Sequence, residues 1–304
     1  MRYDSITLTT QYVSSASASL FLKMLVTVAP PFLALSIRGL LGGTVLMLFA
    51  YVRKVHVSFL FKQIPVQLIK GALFRVFLPS ALAYWALQYV TATKLSLFYN
   101  LNPFIAALFS YLLLGELITR KKMMGIVLGF GGLIPLFIAK SPFEKVFTTQ
   151  PCYSLLPELA ILASMICLSY GWIEMKKLLT TRPDISVYVI SAYDVLLGSI
   201  LAFITSYFFE QTAMQLTSMG HFVFLIIGAT ICIVLIANPL NAWHLRRHSP
   251  ILMSIGSLTV PFFTALLSWI FLKHTIGWEV VASTLFVLVG FMIFYQEEHR
   301  LLNV

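Results

Sequence analysis

Charged side chains are scarce in this sequence: they make up 11% of its 304 residues, against 59% that are hydrophobic. A chain so poor in charge cannot clothe a water-soluble domain of this length, and its mean hydropathy of +0.90 excludes that class. Acids are the scarcer sign, eleven against 21 lysines and arginines, and they are scattered. No group of acids, histidines or a nucleophile with its base gathers in one place, which argues against a polytopic membrane enzyme. Cysteine occurs three times, at 152, 167 and 232, without paired spacing. Neither a disulfide framework nor a metal site is therefore expected, no cofactor is called for, and Cys167 and Cys232 read as small buried hydrophobes. Asp4 and a Ser/Thr-rich stretch precede Leu20 with no apolar run between them, so a cleaved leader is not expected.

What the sequence does have is one apolar run after another. A hydrocarbon core about 30 Å thick needs about 20 residues of helix. Ten such spans are expected, at 6–28, 32–52, 70–91, 95–114, 123–139, 155–175, 185–209, 222–243, 249–272 and 278–296. The first is diluted by Thr7, Thr9, Thr10, Gln11, Ser14, Ser15, Ser17, Ser19 and Lys23, so it cannot face lipid all round.

A stretch of the first half recurs in the second. Residues 103–114, PFIAALFSYLLL, reappear 158 positions later as PFFTALLSWIFL, with six identities and an aromatic ring kept at Tyr111 and Trp269. Five spans separate the two copies, so they cross in opposite directions, as in an inverted-repeat transporter. The basic residues test the count independently, because cytoplasmic loops hold most Lys and Arg. With the N-terminus inside, fourteen fall on the inner side, four on the outer side and three (Lys23, Arg38 and Arg75) within spans. The expected fold class is thus all-α and integral to the membrane: ten transmembrane helices in two inverted five-helix repeats, both termini cytoplasmic. The first repeat is 1–140, an external linker 141–154, and the second repeat 155–304. The net charge of +10 then lies along one membrane face, with no basic domain to bind nucleic acid.

At the residue level, Tyr89-Val90-Thr91-Ala92-Thr93-Lys94, Asn102-Pro103 and the run from Leu112 through Gly115-Glu116 to Thr119 resemble the EamA-type members of the drug/metabolite transporter superfamily. Gly125, Gly129, Gly131 and Gly132 continue the pattern, as does Arg38 after Pro30-Pro31. The second half departs from it, with Lys273-His274 where the first has Gly115-Glu116. The resemblance implies spans 1, 3, 4, 6, 8 and 9 around a central cavity, spans 5 and 10 outside, and export or exchange of a small metabolite without nucleotide hydrolysis.

Polar groups inside spans mark a route for solute or a packing device. Gln11, Ser14, Ser15 and Ala18 form a small polar stripe on the first span, which serves either substrate or close helix contact, with Gln11 and Ser15 as binding candidates. Tyr84 and Gln88 on the third span, Tyr170 on the sixth, and Asn238 and Asn241 on the eighth offer rings and amides to an amphipathic solute. Trp243 reads as an interfacial residue. Asn100 and Asn102 precede Pro103, as Ser254, Ser257 and Thr259 precede Pro261. Each proline either frees carbonyls for a ligand or makes a static kink; Pro79 and Pro239 are expected to bend spans 3 and 8 alike. Arg38 and Asp194 occupy roughly equivalent places in the two halves, about 7 Å apart in depth. Three readings stand: they pair, Arg38 reaches outward to the interface, or Asp194 binds substrate or a proton. Glu116 is expected to pair with Arg120-Lys121-Lys122 or to cap the fifth span, and His221, His244, His248 and His274 lie near membrane faces without metal spacing.

The function that follows is a secondary transporter of the cell inner membrane, working by alternating access as one half rocks against the other. Its expected substrate is a small zwitterionic or amphipathic solute such as an amino acid. The alternative is a flippase for a lipid or lipid-linked solute. Expected partners are the small-molecule substrate and the bilayer; pairing of two copies is left open.

Overall fold

A computed structural model of the chain describes residues 2–25, 28–53, 64–87, 99, 102–115, 118–131, 155–210, 219–260, 262–264, 266–267 and 278–302. Among them every regular element is helical. Helix α1 covers Arg2–Leu25 and α2 Pro31–Val52. Helix α3 runs through Pro65–Gly71, a π-helical stretch Ala72–Phe77 and Leu78–Leu87. Helix α4 is Asn102–Leu114, its last residues Ser110–Leu114 π-helical, and α5 is Arg120–Gly131. Then come α6 (Leu155–Thr181), α7 (Val187–Phe209), α8 (Met219–Arg247, π-helical over Thr230–Ala237), α9 (Pro250–Ser257) and α10 (Trp278–Leu302). Five stretches are long and apolar enough to cross a membrane: Pro31–Val52, Pro65–Ala86, Leu156–Thr181, Val187–Phe209 and Met219–Arg247.

Local chemistry sets the helix ends. Pro31, Pro65 and Pro250 stand in the first turns of α2, α3 and α9, where a missing N–H is harmless. That proline start is why α3 begins at 65, ahead of the expected 70. Ser249 caps α9, its hydroxyl accepting from the Leu252 N–H at 3.2 Å. Helix α4 stops at Gly115, whose φ of 68° lies in the left-handed region. Helix α6 continues past the expected 175 to Thr181, its lysines carrying apolar stems along the helix and their charges beyond it.

Pro79 and Pro239 act alike. Each would clash with the carbonyl four residues earlier, and in both helices the strain is relieved by a π-helical stretch ending two residues before the proline. The Leu78 N–H reaches back five residues to the Leu73 carbonyl, and the Asn238 N–H reaches five back to that of Ile233. The expected bend therefore takes the form of a widened turn.

Packing pairs the elements in a regular way: α2 lies on α7, α4 on α9, α5 on α10, α1 on α8, and α3 on α6. Small residues let backbones approach closely. At Gly39 a Cβ would stand 1.7 Å from Ser199 Oγ, and at Gly125 it would stand 2.8 Å from the Gly290 carbonyl oxygen. Polar contacts sort the helix ends onto two faces. On one, Lys70 at the start of α3 meets Glu174 near the end of α6 at 3.3 Å, and Lys176 donates to the His248 carbonyl between α8 and α9 at 2.9 Å. There too Arg246 bonds the Ile185 carbonyl before α7, and Lys121 and Lys122 of α5 face Glu297 and Glu298 of α10 at 3.7 and 3.8 Å. On the opposite face Glu210, at the end of α7, accepts the Phe32 and Leu33 N–H groups at the start of α2 at 2.8 and 2.9 Å. A carboxylate at a helix N-terminus is favoured there by the exposed N–H groups and the helix dipole.

Replacing Gly125 by alanine forces a methyl group against a backbone oxygen that cannot rotate away. We expect Gly125→Ala to cost about 1–3 kcal/mol, read as a lowered unfolding temperature of the detergent-purified protein. An unchanged transition would show that α5 and α10 do not need this close approach.

Candidate functional site

Three polar loci lie within the apolar helices. The first is a groove of about 620 Å³ along α1 and α8, lined by Ile6, Thr9, Thr10, Val13, Ser14, Ser17, Cys232 and Ile236. The α1 residues in it recur at three- to four-residue spacing and so form one face of that helix. Ser14 Oγ donates to the Cys232 carbonyl at 2.8 Å, inside the π-helical stretch of α8. Gln11, 4% exposed, is next to this wall, and its Oε1 has no hydrogen-bond partner among the described residues. Ser15 is half-buried and its carbonyl accepts from Ser19 Oγ at 3.0 Å. Asn238 and Asn241 are half-buried, two and five residues beyond Ile236.

The second locus joins α3, α4 and α6. Ser169 donates to Asn102 Oδ1 at 2.6 Å, and Ser164 donates to the Pro79 carbonyl at 2.7 Å while lying 3.2 Å from the Tyr99 hydroxyl. Tyr170 packs edge-on against Phe74 and Phe109, with ring centroids 5.0 and 6.3 Å away. Tyr84 is half-buried on α3. Asn102 and Tyr170 therefore have protein partners in this conformation and tie α6 to its neighbours. Pro103 is buried in the first turn of α4, whereas Gln88, Asn100 and Pro261 fall outside the described residues.

The third locus is an ion pair. Asp194 on α7 faces Arg75 on α3, with Nη2 2.7 Å from Oδ2 and side chains 6% and 2% exposed for the arginine and the acid. Of the three readings for Arg38 and Asp194, the direct pair is thus not formed, and the reason is geometric. Gly39 packs on Ser199, five residues beyond Asp194, so Arg38 lies about 7.5 Å deeper than the acid at 1.5 Å per residue. Arg75 starts nearer: α3 runs beside α7, and helical side chains lean toward the helix N-terminus, which carries Arg75 back to Asp194. Gly71, one turn earlier, leaves room for the carboxylate, since a Cβ there would be 2.4 Å from Oδ1. Arg38 is buried and does not reach outward; its Nε and Nη1 have no hydrogen-bond partner among the described residues.

Lys121 and Lys122 pair with Glu297 and Glu298, and Glu116, expected to meet these bases or to cap the fifth span, lies outside the described residues. His244 and His248 are buried, 0% and 7% exposed, with rings 5.9 Å apart, while His221 is exposed. Among the described residues no group of three metal-ligating side chains occurs. The sequence reading missed the groove hydroxyls Thr9, Thr10 and Ser17 as a set; their common spacing on α1 was the available signal.

Apolar helices long enough to cross a bilayer, with hydroxyls and buried ions between them, are the make-up of a multi-pass membrane transporter. The chain matches the EamA-like transporter family over residues 6–138 and again over 155–296, and it belongs to that family. It is similar to the S-adenosylmethionine/S-adenosylhomocysteine transporter of Chlamydia muridarum, with 28% identity over 74% of this chain and 70% of that one. The protein of the same description from Chlamydia trachomatis serovar D is 28% identical over 74% and 68% of the two chains. The uncharacterized transporter YvbV of Bacillus subtilis is 29% identical over 64% of this chain and 60% of its own. A solved crystal structure with a TM-score of 0.78 covers 99% of both chains at 18% identity and has the same fold.

Removing one partner of the Arg75–Asp194 pair strands the other charge. We expect Arg75→Met or Asp194→Leu to cost about 3–5 kcal/mol each, and the double variant to regain most of that loss. Thermal unfolding of the three purified variants reads this directly; single variants as stable as the parent would contradict it.

Proposed function

We propose that this protein is a secondary transporter of the inner membrane that exchanges adenosyl amino acids of the S-adenosylmethionine and S-adenosylhomocysteine type by alternating access. The observation that carries the reading is the hydroxyl-lined groove along α1 and α8, whose volume of about 620 Å³ lies among those of small-molecule sites. Thr10, Ser14 and Ser17 donate to the carbonyls of Ile6, Cys232 and Val13, which leaves their oxygens to accept from a ribose diol or a nucleobase amine. The names of the chlamydial relatives support the substrate class, and an adenosyl amino acid is a zwitterion with an aromatic ring, the kind of solute expected from the sequence.

The framework in this proposal is ten crossings in two inverted five-helix repeats, 1–140 and 155–304 with a linker at 141–154, both termini cytoplasmic. Four observations support it: the family match falls twice along the chain; α2, α4 and α5 pack on α7, α9 and α10; the α1–α8 pairing is mirrored by α3–α6; and both Pro79 and Pro239 follow π-helical stretches. The face that gathers Lys70, Lys121, Lys122, Lys176 and Arg246 is the cytoplasmic one in this reading.

Proteoliposomes loaded with unlabelled S-adenosylhomocysteine and diluted into labelled S-adenosylmethionine should accumulate label well above protein-free vesicles and above protein-containing vesicles left empty. Ser14→Ala should raise the half-saturating concentration about 5- to 10-fold, the cost of one hydrogen bond. Uptake no faster than through bare lipid would reject the reading.

A further inference from the structure

Arg38 presents an unbalanced charge. It is 5% exposed, and Nε and Nη1 meet no hydrogen-bond partner among the described residues. A guanidinium keeps its charge in a protein interior, and such a charge left without an anion is costly. Five carboxylates of the helices are engaged elsewhere: Asp194 with Arg75, Glu210 with the start of α2, and Glu174, Glu297 and Glu298 with lysines.

The contrast with Asp194 sharpens this. The two residues hold corresponding places in the two halves, and Asp194 is answered from α3 by Arg75. The offset that carries Pro79 to Pro239 carries Arg75 to Leu235, so α8 presents a leucine where a partner for Arg38 would stand. One half of the molecule is neutral at this place, and in the other the cation has no acid beside it among the described residues. Arg38 meets α8 at Thr230, whose hydroxyl lies 3.5 Å from the Arg38 carbonyl, while Cys232, two residues on, turns to α1 on the other side of that helix.

We propose that Arg38 is the receptor for a carboxylate of the transported solute, reached in the substrate-bound state and enclosed in the conformation described here. This rests on the transporter reading above. The guanidinium fork matches a carboxylate with two parallel hydrogen bonds.

The test compares S-adenosylmethionine with its decarboxylated amine in counterflow through proteoliposomes of the full chain. The parent should prefer the carboxylate-bearing probe by about 30-fold, the worth of a charge-assisted hydrogen-bonded contact. In Arg38→Gln that preference should fall to near unity while exchange of the amine persists, and Arg38→Lys should fall between. A parent that treats the two probes alike, or a variant that keeps the preference, overturns the assignment while leaving transport intact. Loss of both probes in both variants, together with a lowered unfolding temperature, marks Arg38 as structural and overturns it as well. Exchange of neither probe by the parent rejects the substrate reading itself, and this inference with it.

Discussion

Hydrocarbon offers no hydrogen bonds, so every polar group placed within an apolar helix has to be answered from inside the protein. That demand organises this molecule. Asp194 is met by Arg75, the Cys232 carbonyl by Ser14, the Pro79 carbonyl by Ser164, and Asn102 by Ser169. Each of these contacts joins two different helices, so satisfying a buried polar group and holding the bundle together are one event. Among the described residues the demand is left open at Gln11 and Arg38, and at the hydroxyls of Ser110 and Ser191.

Two of these contacts fall on widened turns. In α3 and α8 a π-helical stretch ends two residues before a proline; the stretch in α8 includes Cys232, whose carbonyl accepts from Ser14, and the stretch in α3 includes Arg75, which meets Asp194. The polar wall between α1 and α8 and the ion pair between α3 and α7 thus stand at comparable stretches, whose prolines are 160 positions apart.

Much of the architecture was legible. Hydropathy placed the five long apolar stretches, because 20-residue apolar runs have few alternatives, and Pro79 and Pro239 marked two of the helices that carry a π-helical stretch. Partner choice was less legible. Arg38 and Asp194 were expected about 7 Å apart in depth, and Arg75 meets the acid instead because α3 lies against α7 at Asp194 itself, with Gly71 beside the carboxylate, a neighbourhood that span prediction does not contain. The burial of His244 and His248 escaped for a related cause: a residue near a helix end is exposed only if no neighbouring helix covers it, and here α10 supplies Glu298 and Tyr295 beside His248. The groove hydroxyls were visible as diluting residues in α1, but which of them share a wall with α8 required the packing.

Glu210 has a mechanical meaning. By holding the first N–H groups of α2 it ties that helix to the end of α7, and Gly39 against Ser199 interlocks the same pair further along. Two helices drawn from different halves of the chain are thereby made into a single strut. A displacement that kept both contacts would carry α2 and α7 together as one body.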